Sequence, residues 1–300
     1  MFSILISFIP IVKLTRTDKF SSKCTTGFNL LKLYKTTSFT DKLLYFCTRM
    51  KKLKEILGGI WKIHVIMCFI TFLLFFYPFY YYYLGKGKER KFRKAFRLLY
   101  FHTKILLILT GVKVKLFHKK NIKKDQVYVI APNHSSYLDI VILYQTFSNY
   151  FVFMGKEELA KVPIFNIFFK NMNITVNRKN RMSGKRAMDR CAEELKKGNS
   201  VVVFPEGTIP KHTPKLGNFK PGAFKLAIEN QVPIVPITFL DNYKRLEMKG
   251  LFSGKAGPGK ARAVIHEPIS TIGLTEKDLI PLQEKVNAII ENELKKHGCR

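Results

Sequence analysis

The sequence is poor in acidic residues and cysteine, and it lacks several catalytic signatures. Only 21 Asp and Glu face 52 Lys and Arg, a formal net charge of +31, which favours an anionic polymer or surface as partner. The five cysteines include no C-x-x-C pair, so neither a disulfide framework nor a zinc site is indicated, and we expect no metal. The absence of G-x-S-x-G and H-E-x-x-H excludes the usual acyl-serine hydrolase and zincin sites.

A long apolar segment decides between nucleic acid and lipid as the anionic partner. No residue from Val65 to Leu84 is charged, and a helix of about twenty residues can cross the hydrocarbon core. The tyrosines 80–83 and a basic run follow it, as is typical of the headgroup level at an anionic cytoplasmic surface. We therefore predict association with membrane lipids at the cytoplasmic face of the cell membrane, and no nucleic-acid partner.

The mode of insertion stays open at this point. Pro78 lies inside the apolar segment, and a second apolar run, Ile105–Thr110, comes after the basic block. A kinked or hairpin-like insertion therefore competes with a true span. A buried core helix is the third alternative, although core helices rarely run this long without a polar residue on the outward face.

The chain divides into three parts. Residues 1–50 are predicted to be an extension of unknown role, in which the apolar run Phe2–Val12 is too short to span a membrane. The motif Met50-Lys51-Lys52-Leu53 is typical of a natural beginning, so we expect the working protein to start near Met50, which N-terminal sequencing would test. Residues 51–110 form the membrane-associated helical region with its basic flank, and residues 111–300 form the catalytic domain.

Strand-like and amphipathic stretches alternate beyond Gly111, which predicts an α/β fold: a mixed sheet flanked by helices, preceded by the N-terminal membrane-associated helical segment. The predicted strands are Val112–Phe117, Val127–Ile130, Tyr150–Met154, Ile174–Val176, Ser200–Phe204, Ile234–Phe239 and Arg262–His266. The predicted helices are Ser183–Lys197, Gly222–Glu229 and a terminal helix carrying Val286, Ile289, Ile290 and Leu294.

The segment Asn133–Asp139 follows an apolar strand and holds a histidine and a carboxylate. A histidine can take a proton from a hydroxyl near neutral pH, and a carboxylate on its other ring nitrogen fixes the tautomer. His134 and Asp139 are five residues apart, so they meet only if His134 lies in a turn before a helix. Ser136 and Asp139 also match a capping box, in which the acid only satisfies backbone N–H groups.

A second polar turn, Phe204–Thr208, ends another apolar strand and opens into a loop with several lysines. Its glycine lets backbone amides approach an anion, Thr208 can donate a hydroxyl bond, and lysines can neutralise a phosphate. The alternative is a proline-glycine turn followed by a solvated basic loop.

These segments together resemble the glycerolipid acyltransferase family, most closely its bacterial lysophosphatidate (1-acyl-sn-glycerol-3-phosphate) acyltransferases. The resemblance covers roughly residues 111–239. It is carried by four ordered blocks: Asn133–Asp139, the stretch with Lys156, Pro163 and Arg178, Phe204–Thr208, and Val232–Ile237.

The resemblance implies transfer of a fatty acyl group from acyl-CoA or acyl-acyl carrier protein to the sn-2 hydroxyl of 1-acyl-sn-glycerol-3-phosphate, giving phosphatidic acid. His134 would be the general base and Asp139 its orienting partner. The residues that would bind the phosphorylated acceptor are Lys156, Arg178, Glu206, Gly207 and Thr208. Val232–Ile237 would form pocket wall, no cofactor is implied, and the partners are a lysophospholipid acceptor and the acyl donor.

Two departures from the family pattern concern the substrates. Ile209-Pro210 stands where the family commonly has an arginine, so one phosphate ligand is missing, and Lys211, Lys215 or Lys220 is a candidate replacement. Asn166 and Met172 stand where glycine is usual, near the expected acyl chain.

Two other functions compete with phosphatidate synthesis. The missing arginine favours an O-acyltransferase for an aminolipid lyso-precursor. The charge alone would suit a non-enzymatic basic membrane adaptor or nucleic-acid binder, but Phe92 and Phe96 interleave with basic residues beside the membrane segment, which favours lipid.

Overall fold

The alternating elements beyond Gly111 build a seven-stranded sheet. The computed structural model describes residues 39–85, 87, 91–247 and 249–299, with the side chains of residue 44 onward. Its strands are β1 (Val112–Phe117), β2 (Val129–Pro132), β3 (Phe151–Lys156), β4 (Ile174–Val176), β5 (Ser200–Val202), β6 (Ile234–Phe239) and β7 (Gly259–Ile265). Its α-helices are α1 (Phe39–Leu84), α2 (Phe92–Leu109), α3 (Leu138–Thr146), α4 (Arg181–Lys196), α5 (Gly222–Glu229), α6 (Asn242–Arg245) and α7 (Leu279–Lys296).

The sheet is mixed, as predicted, with the order β1-β7-β6-β2-β5-β3-β4. The five strands from β6 to β4 run parallel to their neighbours, whereas β7 is antiparallel to β6 and β1 is parallel to β7. Every residue of β2 and β6 is buried, because helices cover both faces of the sheet at its centre. The carboxyl ends of five strands therefore meet along one edge.

The observed bounds of several elements equal the predicted bounds. Ile174–Val176, Ile234–Phe239 and Gly222–Glu229 occur at the predicted residues. The strand predicted at Val127–Ile130 is displaced by two residues to Val129–Pro132. Its register is set by β6, since Val129 pairs with Ile234 and Pro132 with Ile237, and local propensity does not contain that information.

The terminal helix α7 buries one side chain per turn. Leu282, Val286, Ile290 and Leu294 are buried, as the four-residue spacing predicts, while the predicted core residue Ile289 is only half-buried. The helix begins at Leu279, two residues before Pro281, because a capping box formed by Thr275 and Asp278 already starts a helical turn there.

The helices α1 and α2 form a hairpin before the sheet begins. α1 continues through Pro78, whose missing N–H removes a single backbone bond, and the chain turns back only after Leu84. The apolar run Ile105–Thr110 is the end of α2 and not an element of its own. α1 also runs continuously across Met50, whereas Phe2–Val12 lies outside the described residues; the three-part division of the chain and the start near Met50 stay predictions.

Candidate active site

The predicted polar turns lie together at the carboxyl edge of the parallel strands. Asn133–Asp139 follows β2 at the centre of the sheet, and Phe204–Thr208 follows the adjacent β5. Lys156 ends β3, and Arg178 lies two residues after β4. Since these strands are neighbours and parallel, residues more than seventy positions apart share one site.

His134 and Asp139 form a hydrogen-bonded pair. His134 lies in the turn before α3, Asp139 lies in the first turn of that helix, and the distance from His134 Nδ1 to Asp139 Oδ2 is 2.9 Å. An ionised carboxylate accepts only, so Nδ1 carries the proton and Nε2 keeps its lone pair. Nε2 has no hydrogen-bond partner among the described residues, and His134 lines a cleft.

The Asp139 carboxylate is fully buried and surrounded by donors. Oδ2 also accepts from the amides of Ser135 at 2.7 Å and Ser136 at 2.9 Å, and Oδ1 accepts from Asn242 Nδ2 at 2.7 Å. The Ser135 hydroxyl lies 3.3 Å from Oδ1. Asp139 therefore satisfies backbone amides, as the capping alternative holds, and orients His134 as well. The capping interpretation and the orienting interpretation therefore both fit the Asp139 carboxylate.

The imidazole of His134 is fixed from its flat side by an aromatic ring. The ring of Phe204 stacks on it with centroids 4.1 Å apart and an interplanar angle of 26°. Phe204 opens the second predicted turn, but its part in holding the histidine has no signature in the sequence.

Glu206 connects the two turns and does not face the cleft. Its Oε1 accepts from the His134 amide at 2.7 Å, and its Oε2 accepts from the Gly217 amide at 2.6 Å. Burial raises the pKa of Glu206 to about 7, against the opposing effect of both amide bonds. Both oxygens are thus engaged within the protein, and the side chain supports the backbone that carries His134 instead of reaching toward an acceptor.

Gly207 and Thr208 differ in what they offer. Gly207 has φ +69°, so the turn favours glycine for its conformation, and the Lys220 side chain packs against it. Gly207 does not line the cleft, whereas the exposed Thr208 does.

The cleft has a volume of about 460 Å³ and two chemically different parts. Its deeper wall is apolar and comes from α1, α2, α3, β3 and the π-helix Phe168–Met172, with Phe69, Leu99, Ile140, Val141, Phe153, Phe165, Phe168 and Phe169 as lining residues. Its rim is polar and cationic, with Lys156, Arg178, Thr208, Lys211 and Lys249. His134 lies in the lining of this same cleft.

Two cations of the rim, Lys156 and Arg178, are close enough to influence Tyr137. Burial raises the pKa of Tyr137, and the charges of Lys156 and Arg178 oppose that effect. Burial lowers the pKa of Arg178 from its usual value. Lys156 pairs with Glu158 at 2.9 Å, but both side chains are about half exposed, so this pair is weak and easily exchanged for a ligand.

One of the three candidate lysines belongs to the lining of the cleft. Lys211 lines the cleft beside Thr208 and Ile209. Lys215 and Lys220 are absent from the lining, since Lys215 points to solvent and Lys220 packs along Gly207.

The prediction for Val232–Ile237 is wrong in one respect. Its residues 234–237 are fully buried in the centre of the sheet as part of β6, so they form no cleft wall. Strand β6 contributes through its end, where Asn242 reaches Asp139. Nothing in the sequence around Asn242 indicates this contact.

Asn166 and Met172 do not line the cleft either, although the phenylalanines between them do.

Comparison with known proteins agrees with the geometry. An acyltransferase family model matches residues 113–240. A probable 1-acyl-sn-glycerol-3-phosphate acyltransferase of Mycoplasma pneumoniae is 30% identical over 199 residues, covering 63% of this chain and 73% of the relative. A chloroplastic 1-acyl-sn-glycerol-3-phosphate acyltransferase of Arabidopsis thaliana is 34% identical over 177 residues, covering 56% of this chain and 49% of the relative. The chain thus spans about half the length of that plant protein.

A solved structure shows the same fold. The crystal structure of the 1-acyl-sn-glycerophosphate acyltransferase PlsC from Thermotoga maritima has a TM-score of 0.67 and 24% identity, covering 83% of this chain and 98% of that one. The sequence relatives and the family model place the chain in the acyltransferase family.

The pKa of Glu206 predicts a pH effect on stability. Its ordinary value is 4.5 and its folded value is about 7, so the folded state holds a proton that the unfolded state releases between those values. Wild-type stability therefore falls as pH rises through this window, and Glu206→Gln removes that dependence. We expect the free energy of unfolding of Glu206→Gln relative to wild type to rise by on the order of 3 kcal/mol from pH 4.5 to pH 8.

Chemical denaturation at several pH values measures this difference. The exposed Glu284→Gln is the matched control, and its difference from wild type should stay constant with pH. A pH-independent difference for Glu206→Gln as well would contradict the raised pKa.

Proposed function

We propose that the protein transfers a fatty acyl group from acyl-CoA or acyl-acyl carrier protein to the sn-2 hydroxyl of 1-acyl-sn-glycerol-3-phosphate, giving phosphatidic acid. The observation that carries the proposal is the position of His134. Its unpaired Nε2 belongs to a cleft that has an apolar depth and a cationic rim, the two halves of a lysophosphatidate molecule.

The chemistry needs one proton transfer and one exchange of bonds. His134 Nε2 takes the proton of the acceptor hydroxyl while the oxygen attacks the thioester carbonyl carbon. The carbon–sulfur bond then breaks, and the thiol leaving group receives the proton. Asp139 stabilises the imidazolium that forms in between.

The cationic rim favours a phosphorylated acceptor over an aminolipid precursor. Lys211 supplies a cation beside the position of the missing arginine, and Arg178 and Lys156 complete a group of three positive charges. A neutral or amino-bearing headgroup would offer these cations no phosphate, and Lys156 would keep only its weak, half-exposed pair with Glu158. A non-enzymatic adaptor has no use for a buried histidine–carboxylate pair, which costs desolvation energy.

The contacts of α1 favour insertion in one leaflet over a true span. Among the described residues α1 alone is long and apolar enough to cross a membrane, a criterion that some core helices also meet. It contacts the rest of the protein near both ends of its apolar segment: Trp61 Nε1 donates to Thr110 O at 3.0 Å, and Asn171 Nδ2 donates to Leu84 O at 2.8 Å. These contacts are roughly 35 Å apart along the helix, more than the hydrocarbon thickness of about 30 Å.

A helix that contacts the rest of the protein near both ends of its apolar segment is not surrounded by lipid on all sides. We infer that its opposite face enters one leaflet at the cytoplasmic surface. Exposed apolar side chains form that face: Ile56, Leu57, Ile60, Ile63, Met67, Leu74, Phe75, Phe79 and Tyr81. Phe69 on the inner face lines the cleft, so an acyl chain can pass between the leaflet and the site.

His134→Ala should lower the rate of phosphatidate formation at least about 1,000-fold, because the acceptor hydroxyl loses its base. The assay follows labelled acyl-CoA or acyl carrier protein with lysophosphatidate in membranes that contain the protein. His297→Ala, which removes a half-buried histidine of the α7 end, is the control and should keep wild-type rates. Unchanged transfer by His134→Ala would refute the base assignment, and no product from the wild type with either donor would refute the proposed reaction.

Lys211→Met should raise the KM for lysophosphatidate about 10-fold with little change in kcat, because one charge-assisted contact to phosphate is lost in ground and transition state alike. Lys215→Met removes the same charge from the same loop outside the cleft and should leave KM unchanged. Equal KM values for the two variants would remove Lys211 from the headgroup site.

Insertion in one leaflet predicts that both ends of the apolar helix face the same side. Lys54→Cys and Lys94→Cys, introduced singly in protein without Cys24, Cys47 and Cys68, place a thiol at exposed polar positions on either side of the apolar segment. A membrane-impermeant maleimide should label both from the cytoplasmic side of sealed vesicles. Labelling of one from each side would establish a span.

A further inference from the structure

Asn242 contacts the Asp139 carboxylate from a different part of the fold. It begins α6, directly beyond the end of β6, and its Nδ2 donates to Asp139 Oδ1 at 2.7 Å. The two residues are 103 positions apart. Asn242 also lies beyond residues 113–240, the range that the acyltransferase family model matches.

The other half of the Asn242 amide is left without a partner. The side chain is fully buried, and its Oδ1 has no hydrogen-bond partner in the described part of the chain. An unsatisfied buried carbonyl costs free energy, which an apolar side chain of similar size would avoid. The residue is thus poorly explained by packing and well explained by its single contact.

Two further contacts hold α6 in place. Asp241 forms a two-pronged ion pair with Arg262 on β7, with the Nε–Oδ2 distance at 2.5 Å and the Nη2–Oδ1 distance at 2.9 Å. At the other end of α6, the Ser136 hydroxyl donates to Leu246 O at 2.8 Å. The Asp241–Arg262 pair therefore holds the start of α6 through a contact that does not involve Asp139.

We propose that Asn242 is a positioning residue for the His134–Asp139 pair: it occupies Oδ1 of the carboxylate and thereby leaves Oδ2 to hold the imidazole. This inference rests on the proposed acyl transfer. Asn242 does not touch the substrates and acts through Asp139 alone. Without its donor, Oδ1 keeps only the 3.3 Å contact with the Ser135 hydroxyl, so the orientation of the carboxylate that holds His134 is less restricted.

Asn242→Leu should lower kcat about 10-fold at every pH with KM within about twofold, because binding groups are untouched while the base is misaligned. Asn242→Asp is the sharper test. At low pH the introduced carboxyl is protonated and can donate to Oδ1 as the amide does, but once ionised it repels Asp139.

Other groups near α6 titrate too, so the kcat of each variant is divided by that of wild type at the same pH. The groups that face this region are His134, Asp139, Glu206, Asp241, Lys244, Glu247, Lys255, Arg262 and Cys299. They are common to both proteins. The ratio therefore isolates the introduced carboxyl.

We expect the ratio for Asn242→Asp to be within about threefold of unity at pH 6 and to fall at least about 10-fold by pH 9. Asn230→Asp makes the same change at the end of α5, where the amide bonds only Leu226 O, and its ratio should stay near one. A ratio for Asn242→Asp that is flat with pH, as a general disturbance of α6 would give, overturns the proposal. So does an unchanged kcat for Asn242→Leu.

A titration without substrate tests the positioning role of Asn242 separately from the proposed acyl transfer. In protein labelled with ¹³C at the aspartate carboxyls, Asn242→Asp should add a carboxyl that titrates above about pH 6, because it faces the charge of Asp139. Combining it with Asp139→Asn should bring that titration down by at least about one pH unit. An identical titration in both backgrounds overturns the role of Asn242, whereas lack of acyl transfer by the wild type refutes only the proposed reaction.

Discussion

The active site depends on one buried carboxylate. Asp139 is excluded from water, so its charge must be compensated within the protein, and the structure surrounds it with donors from the β2–α3 turn and from α6. Each donor is thereby fixed by the same negative charge. The histidine, the start of α3 and the end of β6 are held in register by a single group.

The parallel strands make this arrangement possible. Carboxyl ends of adjacent parallel strands lie at one edge, so the chain can deliver a base from β2, a supporting glutamate from β5 and cations from β3 and β4 without long loops. The position of each strand in the sheet decides which side chains it brings to the site. His134 follows β2 at the centre of the sheet, and Lys156 and Arg178 lie at or just after the ends of β3 and β4, toward its edge.

The helical hairpin contributes to the apolar part of the cleft. α1 and α2 place apolar side chains over the same edge of the sheet, and the opposite face of α1 is apolar as well. Apolar side chains therefore line both the outer face of α1 and the cleft that contains His134. The basic composition of the chain, with a net charge of +31, favours attraction to an anionic surface.

The sequence by itself determined the fold class, the two polar turns and the apolar helix, because each of these is a local pattern. Alternating strands and helices are readable within a few residues, and His134 with Asp139 lies within one turn. It also gave Lys211, Lys215 and Lys220 as candidate replacements for the missing arginine, without distinguishing among them.

Tertiary structure decided everything that depends on distant pairing. It selected Lys211 through the path of its loop, assigned Glu206 to the backbone of His134, and brought Asn242 to Asp139 across 103 residues. It also set the register of β2, which pairs with β6, and the path of α1 along the rest of the protein. None of these could be predicted from local sequence, since a side chain's contacts across a sheet are fixed by strand order and register, and these depend on the packing of the whole chain.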